Sequence, residues 1–203
     1  MLGKCEHSPS SGEILRRSLF SKLLPPQPAI DTRQRLSGGS SRSMRRVTGS
    51  PELRALMRLF PRGVAVLTVD ADGQRLGLTL SSLVSLSLEP PLVGFAVSRQ
   101  AAMHELLREA GSFAVSLLGQ GQEALAQHFA RGVPPIALWH GVELVEERDG
   151  PPLLAGALGW LEGTVEQQVP VGTHTFFLGA VGRVELGNAR PGLVRVRGEW
   201  SSA

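Results

Sequence analysis

The chain has 203 residues, 42% of them apolar, which suits one domain with a hydrophobic core better than two. No apolar run approaches the roughly 18 to 20 residues of a membrane span, so we expect a soluble protein without a membrane partner. The single cysteine, Cys5, excludes a disulfide and agrees with a reducing cytoplasm, where we expect the protein to work.

The formal net charge of +3 is distributed unevenly along the chain. Residues 1–50 carry nine Lys and Arg against three acids, a net charge of +6. Residues 51–203 carry 12 Arg and 15 acids, a net charge of −3. The mildly acidic part is not expected to bind nucleic acid.

The first 50 residues are rich in Ser, Arg, Gly and Pro, which predicts a disordered basic tail. The favoured interpretation is an unstructured extension. A targeting peptide or an interaction patch remains open. A folded domain is predicted over residues 51–203.

The predicted elements begin with a short helix, because Ser50, Pro51 and Glu52 combine an N-cap, an N1 proline and a first-turn acid. Pro61 and Gly63 end that helix. Two further helices are predicted at 101–110, with Ser98 near its N-cap, and at 122–130. The predicted strands are 64–69, 75–83, 92–97, 113–118, 142–146, 158–169, 174–186 and 193–200.

Most links between the predicted strands are short, and the run DADG over residues 70–73 is a hairpin signal. Short links join antiparallel neighbours, because a parallel crossover needs about a dozen residues. Seven or eight such strands with few helices predict a mostly β protein, a closed or half-closed antiparallel barrel.

Several chemistries have no support in the sequence. The five histidines are scattered, with no HExxH or similar pair, so no metal site is expected. No GxSxG or SxxK motif supplies a serine nucleophile. The run GQGQEA over residues 119–124 matches a dinucleotide fingerprint on paper, but a turn into a short helix is favoured because repeated βαβ units are missing.

Two segments carry more polar character than core strands need. In the run GLTLSSLVSLS over residues 77–87, Thr79, Ser81, Ser85 and Ser87 alternate with leucine, so a row of hydroxyls is expected on one face. Such a row is either an exposed decorated strand or a set of donors for a planar polar ring. The second segment is the GTHT turn over residues 172–175, whose His174 is either a strand-start residue or a functional group.

The pieces together resemble the flavin reductase-like, FMN-binding split-barrel family, found in reductase components of two-component flavin monooxygenases. The matching runs, in order, are FPRGVAVLT (60–68), GLTLSS (77–82), SLSLEPPLV (85–93), FAVSLL (113–118), residues 122–130, GTH (172–174) and LVRVRG (193–198). The resemblance covers essentially all of residues 51–203. It implies an antiparallel split β-barrel.

The resemblance also implies site residues. The hydroxyl segment and the start of the helix after residue 97 would hold the flavin, through Thr79, Ser81, Ser82, Ser85, Ser98, Gln100 and Ala101. His174 would be the catalytic residue beside the nicotinamide. Two positions depart from the family pattern: Thr173 replaces the acid of the usual GDH turn, and Ser116 stands where asparagine is common.

The activity implied is that of an NAD(P)H:flavin oxidoreductase, with FMN or FAD and with NADH or NADPH as cofactors. By the same resemblance, the partners are a second copy in a homodimer and a flavin-dependent oxygenase component that receives reduced flavin. The alternative is a non-catalytic carrier or sensor that binds flavin on the same fold. A second alternative is an interaction module whose basic tail binds an acidic partner.

Overall fold

Antiparallel strands dominate the computed structural model, which describes residues 51–132, 135–145 and 149–203. The predicted tail, residues 1–50, lies outside the described residues. The helices are α1 Pro51–Leu59, α2 Ala102–Ala110, α3 Glu123–Ala130 and α4 Pro135–Leu138. The strands are β1 Arg62–Gly63, β2 Ala65–Ala71, β3 Gln74–Leu80, β4 Val84–Leu88, β5 Pro91–Ser98, β6 Ser112–Leu117, β7 Gly159–Val171, β8 His174–Leu186, β9 Leu193–Val196 and β10 Glu199–Ser202.

Seven strands form one sheet in the order β3-β2-β6-β7-β8-β5-β4, and β1, β9 and β10 form a second, smaller sheet. Every ladder between these strands is antiparallel. The predicted hairpin at residues 70–73 joins β2 to β3, with Asp72 and Gly73 both at positive φ. The predicted mostly β, antiparallel fold is therefore confirmed.

Strand β2 is buried from Ala65 to Val69, because both of its faces are covered there. Ala65, Leu67 and Val69 belong to one buried cluster, which also takes in side chains from α2 and β5. Val66 belongs to a second cluster with α3, whose Ala126 and Phe129 pack against it. The alternation of side chains along a strand thus divides the core into two layers on either side of β2.

The structure corrects several predicted boundaries. The strand predicted at 75–83 ends at Leu80, and a new strand starts at Val84. The strand predicted at 193–200 is a hairpin, β9 and β10, which turns at Arg197 and Gly198, both at positive φ. An isolated glycine inside a strand pattern suggests an irregularity in the strand, and the prediction passed over this signal at Gly198.

The strand predicted at 142–146 is wrong over its described part, where Leu144 makes only an isolated bridge to Leu154. Residues 146–148 lie outside the described residues. The short helix α4 was not predicted. The glycine-rich run 119–124 follows β6, whose neighbours β2 and β7 are antiparallel to it, so the βαβ unit of a dinucleotide fold is not formed there.

None of the helices in the described ranges has the length and apolar character that a membrane crossing needs.

Candidate active site at the rim of strands β5 and β8

One rim of the sheet is built where β5 ends and β8 begins. The antiparallel register sets Ser98 directly opposite His174. Beyond the ladder, the Arg99 amide donates to the Thr173 carbonyl at 3.1 Å, and the Arg99 guanidinium donates to the Gly172 carbonyl at 2.6 Å. The link from β5 to α2 is therefore joined to the turn that carries His174.

His174 is exposed at this rim, where a bound molecule can reach its ring. Its Nδ1 lies 2.9 Å from the Thr173 hydroxyl oxygen. Position 173 lacks the acid of the usual family turn, and the threonine hydroxyl contacts the ring in its place. The ring is thus oriented by a neutral partner.

The start of α2 lies beside His174 because Ser98 leads directly into it. Ser98 is not the N-cap: the cap is Ala101, in extended conformation, and no side chain caps the helix. The Ser98 hydroxyl instead accepts from the Gln100 amide at 3.3 Å. A helix N-terminus without a side-chain cap leaves amide groups available to an anion.

The predicted hydroxyl segment reaches the same rim through Ser82. Its hydroxyl donates to the Ala96 carbonyl at 3.2 Å and accepts from the Ala96 amide at 3.1 Å. Ala96 lies two residues before Ser98 on β5, and residues two apart share one face of a strand. Because Ser82 bonds the backbone of Ala96, it lies at the edge of β5 away from β8, two residues along the strand from the Ser98–His174 pair.

The predicted single row of hydroxyls is wrong, because the chain bends between β3 and β4. The Thr79 hydroxyl turns the other way and donates to the Ala126 carbonyl of α3 at 2.6 Å. Ser81 is half-buried in the bend, and Ser85 is exposed on β4 just before a shift in register. Flavin binding by Thr79, Ser81 and Ser85 remains a prediction, as it does for Ser82, Ser98, Gln100 and Ala101.

A flat, mostly apolar face adjoins the rim. Val93, Phe95 and Val97 point into the core, so Gly94, Ala96 and Ser98 face outward. A Cβ on Gly94 would overlap the Phe176 ring and approach the Leu86 side chain. Phe176 and Leu86 therefore cover the buried Gly94, and together with the half-buried Ala96 they form a flat apolar surface, which we call the floor.

Sequence reasoning missed this floor, although its signal was present. Small residues alternate with large apolar ones in the run VGFAVS over 93–98, so that Gly94, Ala96 and Ser98 share a face. The role of Arg99 carried no comparable signal. Its contacts depend on a turn more than seventy residues away.

A buried histidine makes hydrogen bonds that hold the rim in place. His104 of α2 lies with Nε2 at 2.8 Å from the Thr175 hydroxyl oxygen and with Nδ1 at 2.8 Å from a Glu105 carboxylate oxygen. Arg108 also binds Glu105, at 2.9 Å. The hydrogen bond from His104, together with Arg108, lowers the pKa of the Glu105 carboxyl below its usual value. This network fixes α2 to the residue after His174.

The other departure from the family pattern, Ser116, has a structural role. Its buried hydroxyl accepts from the Leu154 amide at 3.1 Å. Within the described ranges, no three His, Cys, Asp or Glu side chains are grouped so that they could hold a metal ion.

Comparison with known proteins identifies the family. The flavin reductase like domain matches residues 57–201. The chain belongs to this family. The predicted resemblance is confirmed.

Two relatives illustrate the similarity. The NADH-dependent FAD reductase of Streptomyces globisporus is 38% identical over 175 residues, which cover 85% of this chain and 87% of that protein. The reductase component of 4-hydroxyphenylacetate 3-monooxygenase from Thermus thermophilus is 42% identical over 135 residues, covering 66% of this chain and 84% of the relative.

Solved structures agree with the split-barrel fold. The NADH:FAD oxidoreductase SgcE6 of Streptomyces globisporus superposes with a TM-score of 0.71 at 37% identity. That match covers 77% of this chain and 95% of the solved one. The same oxidoreductase has also been solved in complex with NAD and FAD fragments.

The His104 network generates a prediction about stability. Thr175→Val keeps the shape of the side chain but removes the partner of the buried His104 Nε2, so we expect a loss of about 1–3 kcal/mol in the free energy of unfolding. Thr173→Val is the matched control, because Thr173 is exposed. Urea denaturation measures both variants. Equal stability of the two would contradict a supporting role for the network.

Proposed function

We propose that the protein is an NAD(P)H:flavin oxidoreductase that supplies reduced flavin to a partner oxygenase. The observation that carries this proposal is the rim itself, where the uncapped start of α2, Ser82 and His174 adjoin a flat apolar face. The relatives support it, since they include an NADH-dependent FAD reductase and a monooxygenase reductase component.

The residues at the rim fit a flavin. A planar ring needs a flat apolar floor with a few polar groups at its edge, and Ala96 beside the Phe176 ring that covers Gly94 offers such a floor. A phosphate fits the N-terminus of α2, beside Ser98, Gln100 and Ala101, because the helix dipole and free amide groups favour an anion there. When bound, the flavin accepts hydride from the nicotinamide, chemistry that side chains alone do not supply.

The protein's own residues bind the flavin and orient the nicotinamide cofactor. Ser82 is held by both backbone groups of Ala96, so its position relative to the floor is fixed before any ligand arrives. His174, oriented by Thr173, can donate to the carboxamide or a phosphate of an incoming nicotinamide cofactor. Fixed partners of this kind promote reaction mainly through proximity and orientation.

The cofactors of the proposed reaction are FMN or FAD and NADH or NADPH. Relatives are named both as FAD and as FMN reductases, and several are named as NADH-dependent. We propose that the protein works in the cytoplasm, where reduced nicotinamide cofactors are available.

The experiment that tests the proposed function measures NADH and NADPH oxidation by the full chain, with FMN, with FAD and without flavin. We expect turnover only when a flavin is added. If no combination exceeds the rate without protein while flavin still binds, the protein is a carrier or sensor instead.

The substitution His174→Ala should impair binding and reaction of the nicotinamide cofactor. We expect a raised KM for the nicotinamide cofactor and a kcat/KM lower by roughly ten- to a hundredfold, about 1.4 to 2.7 kcal/mol, with flavin affinity nearly unchanged. His140→Ala is the control, because His140 is also exposed but belongs to the segment after α4. Lost flavin affinity with normal hydride transfer would show that the role given to His174 is wrong.

The outward face of β5 and its neighbouring strands also supports a homodimer. Val84 and Leu86 of β4, and Val169 and Val171 of β7, are 43% to 56% exposed, on strands that flank β5 and β8. Val169 pairs with Phe176 and Val84 with Gly94, so these side chains share the face of the floor. A contiguous apolar face of this kind is typical of a surface covered by a partner, and we propose a second copy.

Val169→Glu should weaken the dimer, because it puts a charge into the apolar face. Ile136→Glu is the matched control, since Ile136 is 97% exposed on α4, away from that face. Sedimentation measures the oligomeric state of the wild type and of both variants. We expect a dimer for the wild type and for Ile136→Glu, and monomer for Val169→Glu. A monomeric wild type would refute the homodimer.

A further inference from the structure

Five arginines line one cavity of about 240 Å³ on a part of the molecule that does not build the rim. Arg54 and Arg58 come from α1, Arg62 from β1, Arg195 from β9 and Arg197 from the turn before β10. The folded part of the chain carries a net charge of −3 in sequence, so this concentration of positive charge goes against its overall balance. We call the cavity the arginine pocket.

The arrangement of these arginines is unfavourable without a counter-charge. Arg54 and Arg58 are four apart on a helix, and Arg62 lies directly opposite Arg195 in the β1–β9 ladder. Like charges in either relation destabilise the element that carries them. Among the described residues, no ion pair joins any of the five to an acidic side chain.

Two further observations concern individual arginines. The Nε of Arg62 is buried and has no hydrogen-bond partner among the described residues, and a buried unpaired donor costs free energy. Arg197 has a φ of 55°, in the left-handed region that favours glycine or asparagine. The turn therefore holds a long cationic side chain where a smaller residue would be less strained.

The remaining contacts fix the positions of the arginine side chains but do not balance their positive charge. The Arg195 guanidinium lies 4.4 Å from the centre of the Trp200 ring. Arg58 donates to the Arg197 carbonyl at 3.4 Å, which ties α1 to the turn. Stacking on an aromatic face fixes the plane of a guanidinium, and a planar fork of donors matches the oxygens of a phosphate.

We propose that the arginine pocket binds the diphosphate group of a nucleotide. Guanidinium groups bind phosphate oxygens bidentately, and several of them are needed to balance the charge of a diphosphate. The volume is below the roughly 300–1,000 Å³ typical of a pocket that encloses a whole ligand. The pocket therefore fits the phosphate portion, with the rest of the nucleotide outside.

Calorimetric titration of the full chain with ADP, and separately with inorganic pyrophosphate, tests the proposal. We expect both to bind, and Arg195→Gln with Arg197→Gln to weaken binding by about ten- to a hundredfold, since each lost bond is charge-assisted. The charge-matched control is Arg131→Gln with Arg183→Gln, two exposed arginines outside the pocket. Equal binding by both double variants, or none by the wild type, overturns the proposal.

Two more measurements keep the test decisive. Arg54→Gln, on the exposed helix α1, gives a second variant should the hairpin substitutions impair folding, and it should weaken ADP binding in the same direction. Turnover assays identify the source of the diphosphate. The flavin phosphate is placed at the start of α2, so a raised KM for NADH assigns the diphosphate to the nicotinamide cofactor, and an unchanged KM assigns it to a separate nucleotide.

Discussion

The antiparallel pairing of β5 with β8 is the constraint on which the candidate site depends. It sets Ser98 opposite His174 and places the start of α2 beside the turn at residues 172–173, where Arg99 binds two carbonyl groups. Because side chains alternate along β5, the same pairing buries Phe95 in the core and turns Gly94 and Ala96 to the other face, where the Phe176 ring covers Gly94. One ladder therefore builds the rim, the floor and part of the core.

The fold was predictable from the sequence because its signals are local. The DG turn at 72–73, the helix stop at Gly111 and the β-branched runs each specify an element without knowledge of distant contacts. Where signals conflicted, the prediction was wrong: residues 193–200 form a hairpin because Arg197 and Gly198 turn the chain. The strand expected from residue 142 makes a single bridge.

The site was only partly predictable, because hydroxyl groups on one segment find partners on different elements. Thr79 binds α3, although the alternating sequence predicted its hydroxyl in one row with those of Ser81, Ser85 and Ser87. His104 gave no signal at all, since its partner Thr175 is seventy-one residues away in the chain. Family resemblance supplied the expected roles, and the structure supplied the contacts that position those residues.

The central claim is that flavin binds on the outward face of β5 with its phosphate at the start of α2. The most direct test is a crystal structure of the full chain with bound FMN. The account predicts the isoalloxazine ring over Ala96 and the Phe176 side chain, with His174 near its free face and the phosphate beside Ser98 and Gln100. A ring bound elsewhere, or an FMN phosphate held only in the arginine pocket, would contradict it.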